Sequence, residues 1–356
     1  MDNIAHTLVG AALGRAIGDA QVPAPALLGA LAANAPDFNE FLPGMPPLWG
    51  SPLAMTAHRG ITHSLLGAGI QAAVFILVTG LLMVPASRRE HRPVPWTTII
   101  ALYAAALGSH LFMDWQGSYG LRPFLPWSNQ RYYGDWVAIV DPFFWLVPAV
   151  FLAWGQVRRW PWALGSGILT LGLVAIVLWA SLFFDRAAAR WIDVSVVVLA
   201  VTGAVGWHRH WFAPGARRAA ATTALVILGV YTGAQAVTEL FLKHRLGVEA
   251  RTRFGPEATY ALLTRPGFPF MWTPVMGGTD SVAGPGWSVP RHLDVPVVQR
   301  VLHTPQAHAI LAFDRFVTAD VDSTRRPAVV YLRETRGPST GRRGFGIVAL
   351  EPPSTP

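Results

Sequence analysis

Long apolar segments alternate with short basic connections along roughly the first two thirds of this chain. A helix of about 20 predominantly apolar residues is long enough to cross the hydrocarbon core of a bilayer. We therefore predict about six membrane-spanning helices in this part of the chain. They cover residues 65–84, 96–113, 136–153, 162–184, 192–207 and 219–238.

Two shorter helices are predicted before the first span. Residues 2–17 place Ile4, Leu8 and Leu13 near one face of a helix, a pattern typical of packing against a neighbour. Residues 26–35 predict a second helix, which is too short to span a bilayer by itself. We expect it to end there because Pro36 disfavours helical backbone in the residue before it.

The composition changes from about residue 241, where charged residues, proline and glycine become more frequent. Alternating or β-branched residues predict short strands at 309–317, 328–332 and 345–350. The expected fold is an all-α polytopic membrane protein with a small β-rich C-terminal extramembrane domain. The expected domains are residues 1–240, the helical transmembrane domain, and residues 241–356, the C-terminal domain.

The composition supports an integral membrane protein. Of the 356 residues, 52% are hydrophobic and 13% are charged, whereas soluble proteins average about 25% charged residues. The net charge of +8 is accounted for by basic cytoplasmic loops and contact with lipid headgroups, so the lipid bilayer is the expected partner and no nucleic acid is expected. The chain has no cysteine, which excludes disulfides, thiolate metal sites and a cysteine nucleophile.

The basic loops predict the orientation. If the spans alternate, the loops at 85–95, 156–161 and 208–219 lie on one side, which should be cytoplasmic. The loops before the first span and after the second span, together with the C-terminal domain, are then extracytoplasmic. Arginines in the loops on the other side of the membrane weaken this difference in positive charge.

Several polar residues are predicted to meet at this extracytoplasmic face. Neutral imidazoles with carboxylates suit Zn²⁺, and also Mn²⁺ or Fe. The alternative is a set of unrelated helix-surface hydrogen bonds and headgroup contacts, and only convergence from separate segments favours a site. The residues are His6, Asp37, His58, His63, His110 and Asp114.

Three further residues, together with His58, are candidates for contacting a substrate or a metal ligand. Arg59 and Arg122 could hold an anionic group, or could equally contact headgroups. His58 is expected to contact substrate or a ligand rather than the metal. Asp141 lies one turn inside a predicted span, where an acid is a functional candidate and could pair with an arginine.

Six motifs occur together in the first 150 residues, and with them the chain resembles a known family. The motifs are residues 1–10, 33–37, 58–64, 109–115, 118–120 and 135–142. The family is that of membrane-bound metal-dependent hydrolases, also described as inner-membrane-associated hydrolases of the LexA-binding type. The resemblance implies a multi-pass protein of the inner (plasma) membrane. It also implies the metal ligands His6, Asp37, His63, His110 and Asp114.

The chain departs from the family pattern at two positions. Asn39 stands where the family often has a second acid, and Ala57 where it often has a second histidine. The expected function is metal-dependent hydrolysis of a phosphoester or lipid-like substrate by a metal-activated water. The alternative is a non-catalytic membrane scaffold or regulator with a structural polar or metal cluster.

Overall fold

A computed structural model of the chain describes residues 1–18, 20–41, 59–154, 160–181, 186–209, 211, 216–338 and 347–353. His58 and Ala57 lie outside these described residues. The chain divides into two compact units. The helical unit comprises Met1–Phe38, Ile61–Ala236 and Arg265–Phe270, and the unit called C-terminal here comprises Asn39–Gly60, Val237–Thr264 and Met271–Pro356.

The helical unit begins with two helices, α1 (Asn3–Gly18) and α2 (Pro25–Asn34), which lie against each other. Glycines make this contact close. A Cβ atom on Gly29 would lie 2.2 Å from the carbonyl oxygen of Gly10. A 3₁₀ segment, Ala35–Phe41, follows α2, and a second one, Ile61–His63, precedes the next helix.

Three long helices are apolar enough to cross a membrane by length and composition: α3 (Leu65–Glu90), α4 (Trp96–Trp115) and α8 (Arg217–Phe254). They confirm three of the six predicted spans within the part of the chain that is described. The side chain of Ser64 caps α3 by accepting from the backbone N–H of Gly67 at 3.0 Å. Helix α8 continues 16 residues beyond the predicted end of its span at residue 238, to Phe254.

The remaining helices of the helical unit are α5 (Pro142–Trp154), α6 (Trp160–Ser181) and α7 (Arg186–His208). The prediction that helix begins at residue 136 was wrong. Residues 136–141 are not helical because the N–H groups of Trp136 and Val137 donate to the carbonyl of Gln116 instead. Apolar side chains of α1, α4 and α5 form a common core that includes Ala5, Val9, Met113 and Phe144.

The C-terminal unit contains two antiparallel sheets, as expected for a β-rich region. The first has strands β1 (Thr259–Thr264), β2 (Trp272–Gly277), β3 (Ser281–Gly284) and β4 (Trp287–Pro290) in sequence order. The second has β5 (Val317–Asp322), β6 (Val329–Glu334) and β7 (Ile347–Leu350).

Two short helices, α9 (Pro296–Leu302) and α10 (Pro305–Phe313), pack on the second sheet. The prediction of a strand at residues 309–317 was therefore wrong, because residues 309–313 are helical and strand β5 begins only at Val317. Thr304 accepts from the N–H of Ala307 at 3.3 Å, and Pro305 occupies the first turn, which together favour a helix start.

Candidate metal centre

Five side chains from four chain segments converge in the helical unit, each with at most 4% of its surface exposed. Two overlapping groups have ligand atoms within 4.8 Å of one another. One group is His6, Asp37 and His110, and the other is His63, His110 and Asp114.

His110 has its second nitrogen directed at carboxylates. Its Nδ1 lies 2.6 Å from the carbonyl oxygen of Ala33, and because a carbonyl only accepts, Nδ1 carries a hydrogen. Its Nε2 lies 3.5 Å from Oδ2 of Asp114 and 3.9 Å from Oδ1 of Asp37. In a neutral ring this Nε2 presents a lone pair to carboxylate oxygens that are also acceptors. A positive charge is needed between them, either a proton on His110 or a metal ion.

His63 lies on the other side of the same carboxylates. Its Nε2 donates to Oδ1 of Asp37 at 2.9 Å and lies 3.5 Å from Oδ2 of Asp114. Its Nδ1 lies 3.1 Å from the hydroxyl of Thr62. A hydroxyl can donate or accept, so Thr62 can support His63 with either ring nitrogen protonated. This leaves Nε2 able to exchange its proton for a metal ion.

His6 stacks on His110, with ring centroids 3.9 Å apart. Neither ring nitrogen of His6 has a hydrogen-bond partner among the described residues, although Nε2 lies 3.4 Å from Oδ1 of Asp114. Buried polar atoms without partners are uncommon, and an unseen ion is one of their ordinary explanations. The α-amino group of Met1 also forms an ion pair with Oδ1 of Asp114.

Burial and hydrogen bonding keep His6, His63 and Asp37 in the protonation states that could bind a metal ion. Burial, reinforced by neighbouring positive charge, lowers the pKa of His6 to about 3, and burial lowers the pKa of His63 to about 4. Burial alone would raise the pKa of Asp37, but the hydrogen bond from His63 opposes this, and the pKa of Asp37 lies below its usual value. Neutral imidazoles and ionised carboxylates are the protonation states that metal coordination requires.

Local structure explains why these segments meet. His110 and Asp114 are four residues apart on α4 and therefore share a helical face. Asp2 holds the start of α1 by accepting from the N–H groups of Ile4 and Ala5, both at 3.0 Å. The indole N–H of Trp145 donates to the same carboxylate at 2.9 Å. These contacts anchor the helix turn that presents His6.

Asp141 differs from its predicted setting. It lies immediately before α5 rather than inside a helix, because its Oδ1 accepts from the N–H of Phe143 at 2.9 Å and caps the helix start. Its Oδ2 accepts from the hydroxyl of Tyr231 on α8 at 2.7 Å. Its partner in the structure is thus a tyrosine, and the predicted pairing with an arginine is not among its contacts in the described chain.

The predicted arginines are both buried. Arg122 donates from Nη1 to Oδ1 of Asn129 at 2.8 Å in the loop after α4. Arg59 belongs to the C-terminal unit and has a positive φ of 57°. A substrate contact by Arg59, Arg122 or His58 stays a prediction.

Comparison with known protein families identifies the family to which this chain belongs. The model of the family described as YdjM inner membrane protein matches residues 1–192, which is more than half of the chain. The chain therefore belongs to the YdjM inner membrane protein family. No curated protein and no solved structure matches it. The match covers every one of the five clustered residues and supports an inner membrane location.

Two features of the centre were not predicted from the sequence. One is the carbonyl of Ala33, since a backbone carbonyl that orients a histidine has no sequence signal. The other is the close approach of α1 and α2. Gly10 and Gly14 are four residues apart on α1, and this spacing of small residues is a known signal for close helix packing.

Proposed function

We propose that this protein is a membrane-bound metal-dependent hydrolase whose centre is formed by His6, Asp37, His63, His110 and Asp114. The metal is Zn²⁺, with Mn²⁺ or Fe as alternatives. Bound Zn²⁺ would lower the pKa of a coordinated water and polarise a carbonyl or phosphoryl oxygen. The proposed substrate is a phosphoester or lipid-like molecule, reached at the extracytoplasmic face of the membrane.

The observation that carries this proposal is a buried cluster in which lone pairs of imidazole nitrogens and carboxylate oxygens face one another. Three imidazoles and two carboxylates meet, and Nε2 of His110 points at acceptors. With neutral rings, the carboxylates carry two negative charges and the Met1 ammonium one positive charge. The remaining negative charge favours a cation.

Metal content of the purified full chain tests the site. We expect about one or two zinc ions per chain by elemental analysis, with loss in His63→Ala and His110→Ala. The matched control is His308→Ala, which changes an exposed histidine of α10 in the C-terminal unit. Wild-type protein that stays metal-free after incubation with Zn²⁺, Mn²⁺ and Fe²⁺ would sink the proposal.

Catalysis needs its own test. We expect hydrolysis of bis-p-nitrophenyl phosphate or of phospholipid vesicles that stops with a chelator, returns with Zn²⁺ and is absent in His63→Ala. Metal-loaded protein that hydrolyses no ester in such a panel would contradict the enzymatic part of the proposal and leave the metal site standing.

The second candidate function is that of a non-catalytic scaffold or regulator. The burial of the five clustered side chains favours this function. All five residues are at most 4% exposed, and closed coordination is typical of structural metal sites. Cobalt substitution separates the two functions. Added azide should change the visible spectrum of the Co²⁺ protein if a coordination position is open, as a catalytic site requires, and should leave it unchanged in a structural site.

A further inference from the structure

Helix α3 carries a polar side chain, that of Gln71, which contacts the 3₁₀ turn preceding the helix. Gln71 is one of two polar residues among residues 65–83. Polar groups inside an apolar span are costly, and they commonly mark function. Nε2 of Gln71 donates to the carbonyl of Thr62 at 2.9 Å and to that of Gly67 at 3.1 Å. One amide group therefore joins the turn Ile61–His63 to α3.

The turn Ile61–His63 lies directly on the first turn of α3. A Cβ atom on Gly67 would lie 1.9 Å from the carbonyl oxygen of Ile61, so only glycine permits this approach. The same carbonyl accepts from the hydroxyl of Ser64 at 2.7 Å, and this hydroxyl accepts from the N–H of Gly67 at 3.0 Å. The carbonyls of Ile61 and Thr62 are thus both held by side chains, which fixes the backbone of Thr62 on the helix.

The hydroxyl of Thr62 contacts His63, one of the proposed metal ligands. It lies 3.1 Å from Nδ1, while Nε2 of the same ring donates to Oδ1 of Asp37. With the hydrogen of a neutral ring on Nε2, Nδ1 has a lone pair and accepts from Thr62. A histidine that binds a metal ion through Nε2 carries its hydrogen on Nδ1 and donates it to a neighbouring group. Thr62 can accept that hydrogen bond as well, because a hydroxyl both donates and accepts.

His110 is held in a different way. Its Nδ1 is bonded to the carbonyl of Ala33, which only accepts. His110 therefore carries its hydrogen on Nδ1 with or without a metal ion on Nε2. In His63 the hydrogen has to change from Nε2 to Nδ1 when the ion binds. A partner that can reverse its hydrogen bond, as Thr62 can, is suited to this change.

We propose that Thr62, held in place by Gln71, is a positioning residue that lets His63 change from a hydrogen bond with Asp37 to binding the metal ion. The proposal rests on the metal-dependent function proposed above and adds two residues to it. A hydrogen-bond partner on the second ring nitrogen orients a histidine and increases its basicity as a ligand. Both residues therefore act through His63.

The affinity of the detergent-solubilised full chain for Zn²⁺, measured by competition with a chelator, tests the role of Thr62. Thr62→Val keeps the shape of the side chain but removes the hydroxyl, and it should weaken zinc binding about 10–100-fold. Thr62→Ser keeps the hydroxyl and should bind zinc nearly as tightly as wild type. Thr79→Val is the matched control, because it removes a buried hydroxyl of α3 that bonds to Tyr103 rather than to a proposed ligand. Its zinc affinity should equal that of wild type.

Gln71→Met tests the support of Thr62 from α3. Methionine has nearly the same length but cannot donate to the carbonyl of Thr62, so the turn is held less firmly. We expect weaker zinc binding than in wild type, with a smaller loss than in Thr62→Val. Gln21→Met is the control, because it removes a side-chain amide of the helical unit that bonds to Thr98. Wild-type zinc affinity in Gln71→Met would overturn the part of the proposal that concerns Gln71.

A purely structural role of Thr62 predicts a different pattern. Zinc affinity would then follow the free energy of unfolding of the metal-free variants, and Thr79→Val would lose affinity as well. Wild-type zinc affinity in a folded Thr62→Val protein, or an equal loss in Thr62→Ser, would overturn the proposal and leave the metal centre in place. Thr62→Ala decides the same question if the valine variant does not fold. Wild-type protein that binds no metal would instead overturn the proposed metal-dependent function.

Discussion

The contact between α1 and α2 gives the sharpest test of how the fold builds the proposed metal centre. Helix α1 carries His6, whereas α2 carries the Ala33 carbonyl and leads into Asp37. In Gly29→Ala the new Cβ would lie 2.2 Å from the carbonyl oxygen of Gly10, and 3.0 Å from Gly14. These neighbours are backbone atoms, so no side chain can rotate away. The two helices have to separate.

The size of the effect follows from that distance. Ordinary contact begins at 3.4 Å, so the backbones must move apart by about 1.2 Å. Zinc–ligand distances tolerate about 0.2 Å, so His6 and Asp37 can no longer bind one ion in the same arrangement. A structural zinc site has a binding free energy of about 10–16 kcal/mol. If it loses one of four ligands, the binding free energy falls by roughly 3 kcal/mol, which raises Kd on the order of 100-fold. Overpacking should also cost about 1–3 kcal/mol of stability.

The assay is competition for Zn²⁺ between the purified variant and a chelator of known affinity. Gly108→Ala is the matched control, since a Cβ there meets no atom within 4 Å although the residue is only two positions from His110. Its zinc affinity should equal that of wild type. A folded Gly29→Ala protein with wild-type zinc affinity, or an equal loss of affinity in Gly108→Ala, would show that the separation of α1 and α2 does not set the ligand geometry.

Three further predictions concern pH, truncation and topology. Because the pKa values of His6 and His63 are lowered in the folded protein, the unfolded chain takes up protons first when the pH is lowered. The free energy of unfolding of the metal-free protein should therefore fall as the pH is lowered from about 6.5 to about 4, by up to about 1.4 kcal/mol per pH unit for each histidine. A melting temperature that is constant over this range would contradict this prediction. Removal of the chain after Phe254 should leave zinc binding intact, because all five ligands precede residue 115; loss of zinc from a folded truncation would show that the C-terminal region completes the site. Ser288→Cys, the only cysteine in the chain, should react with an impermeant maleimide in intact cells; labelling that needs permeabilised membranes would reverse the orientation.

Local sequence patterns predicted the helices well where apolar segments are long. The predicted starts of α3 and α4, at residues 65 and 96, agree with the structure. The errors occur where tertiary contacts compete with local preference. Residues 136–141 are apolar enough for a helix, yet their N–H groups pair with the end of α4. Residues 309–313 have strand-like content but follow a helix cap at Thr304.

The amino-acid sequence alone identified which side chains could bind a metal ion and indicated that His110 and Asp114 share a helical face. It also determined the apolar helices, since composition and periodicity are local properties. That His6 and Asp37 reach that face is a result of tertiary packing. Their approach depends on how closely α1 and α2 pack, which the glycines permit but do not require. The orientation of His110 likewise depends on a carbonyl 77 residues away in the chain, which no local pattern encodes.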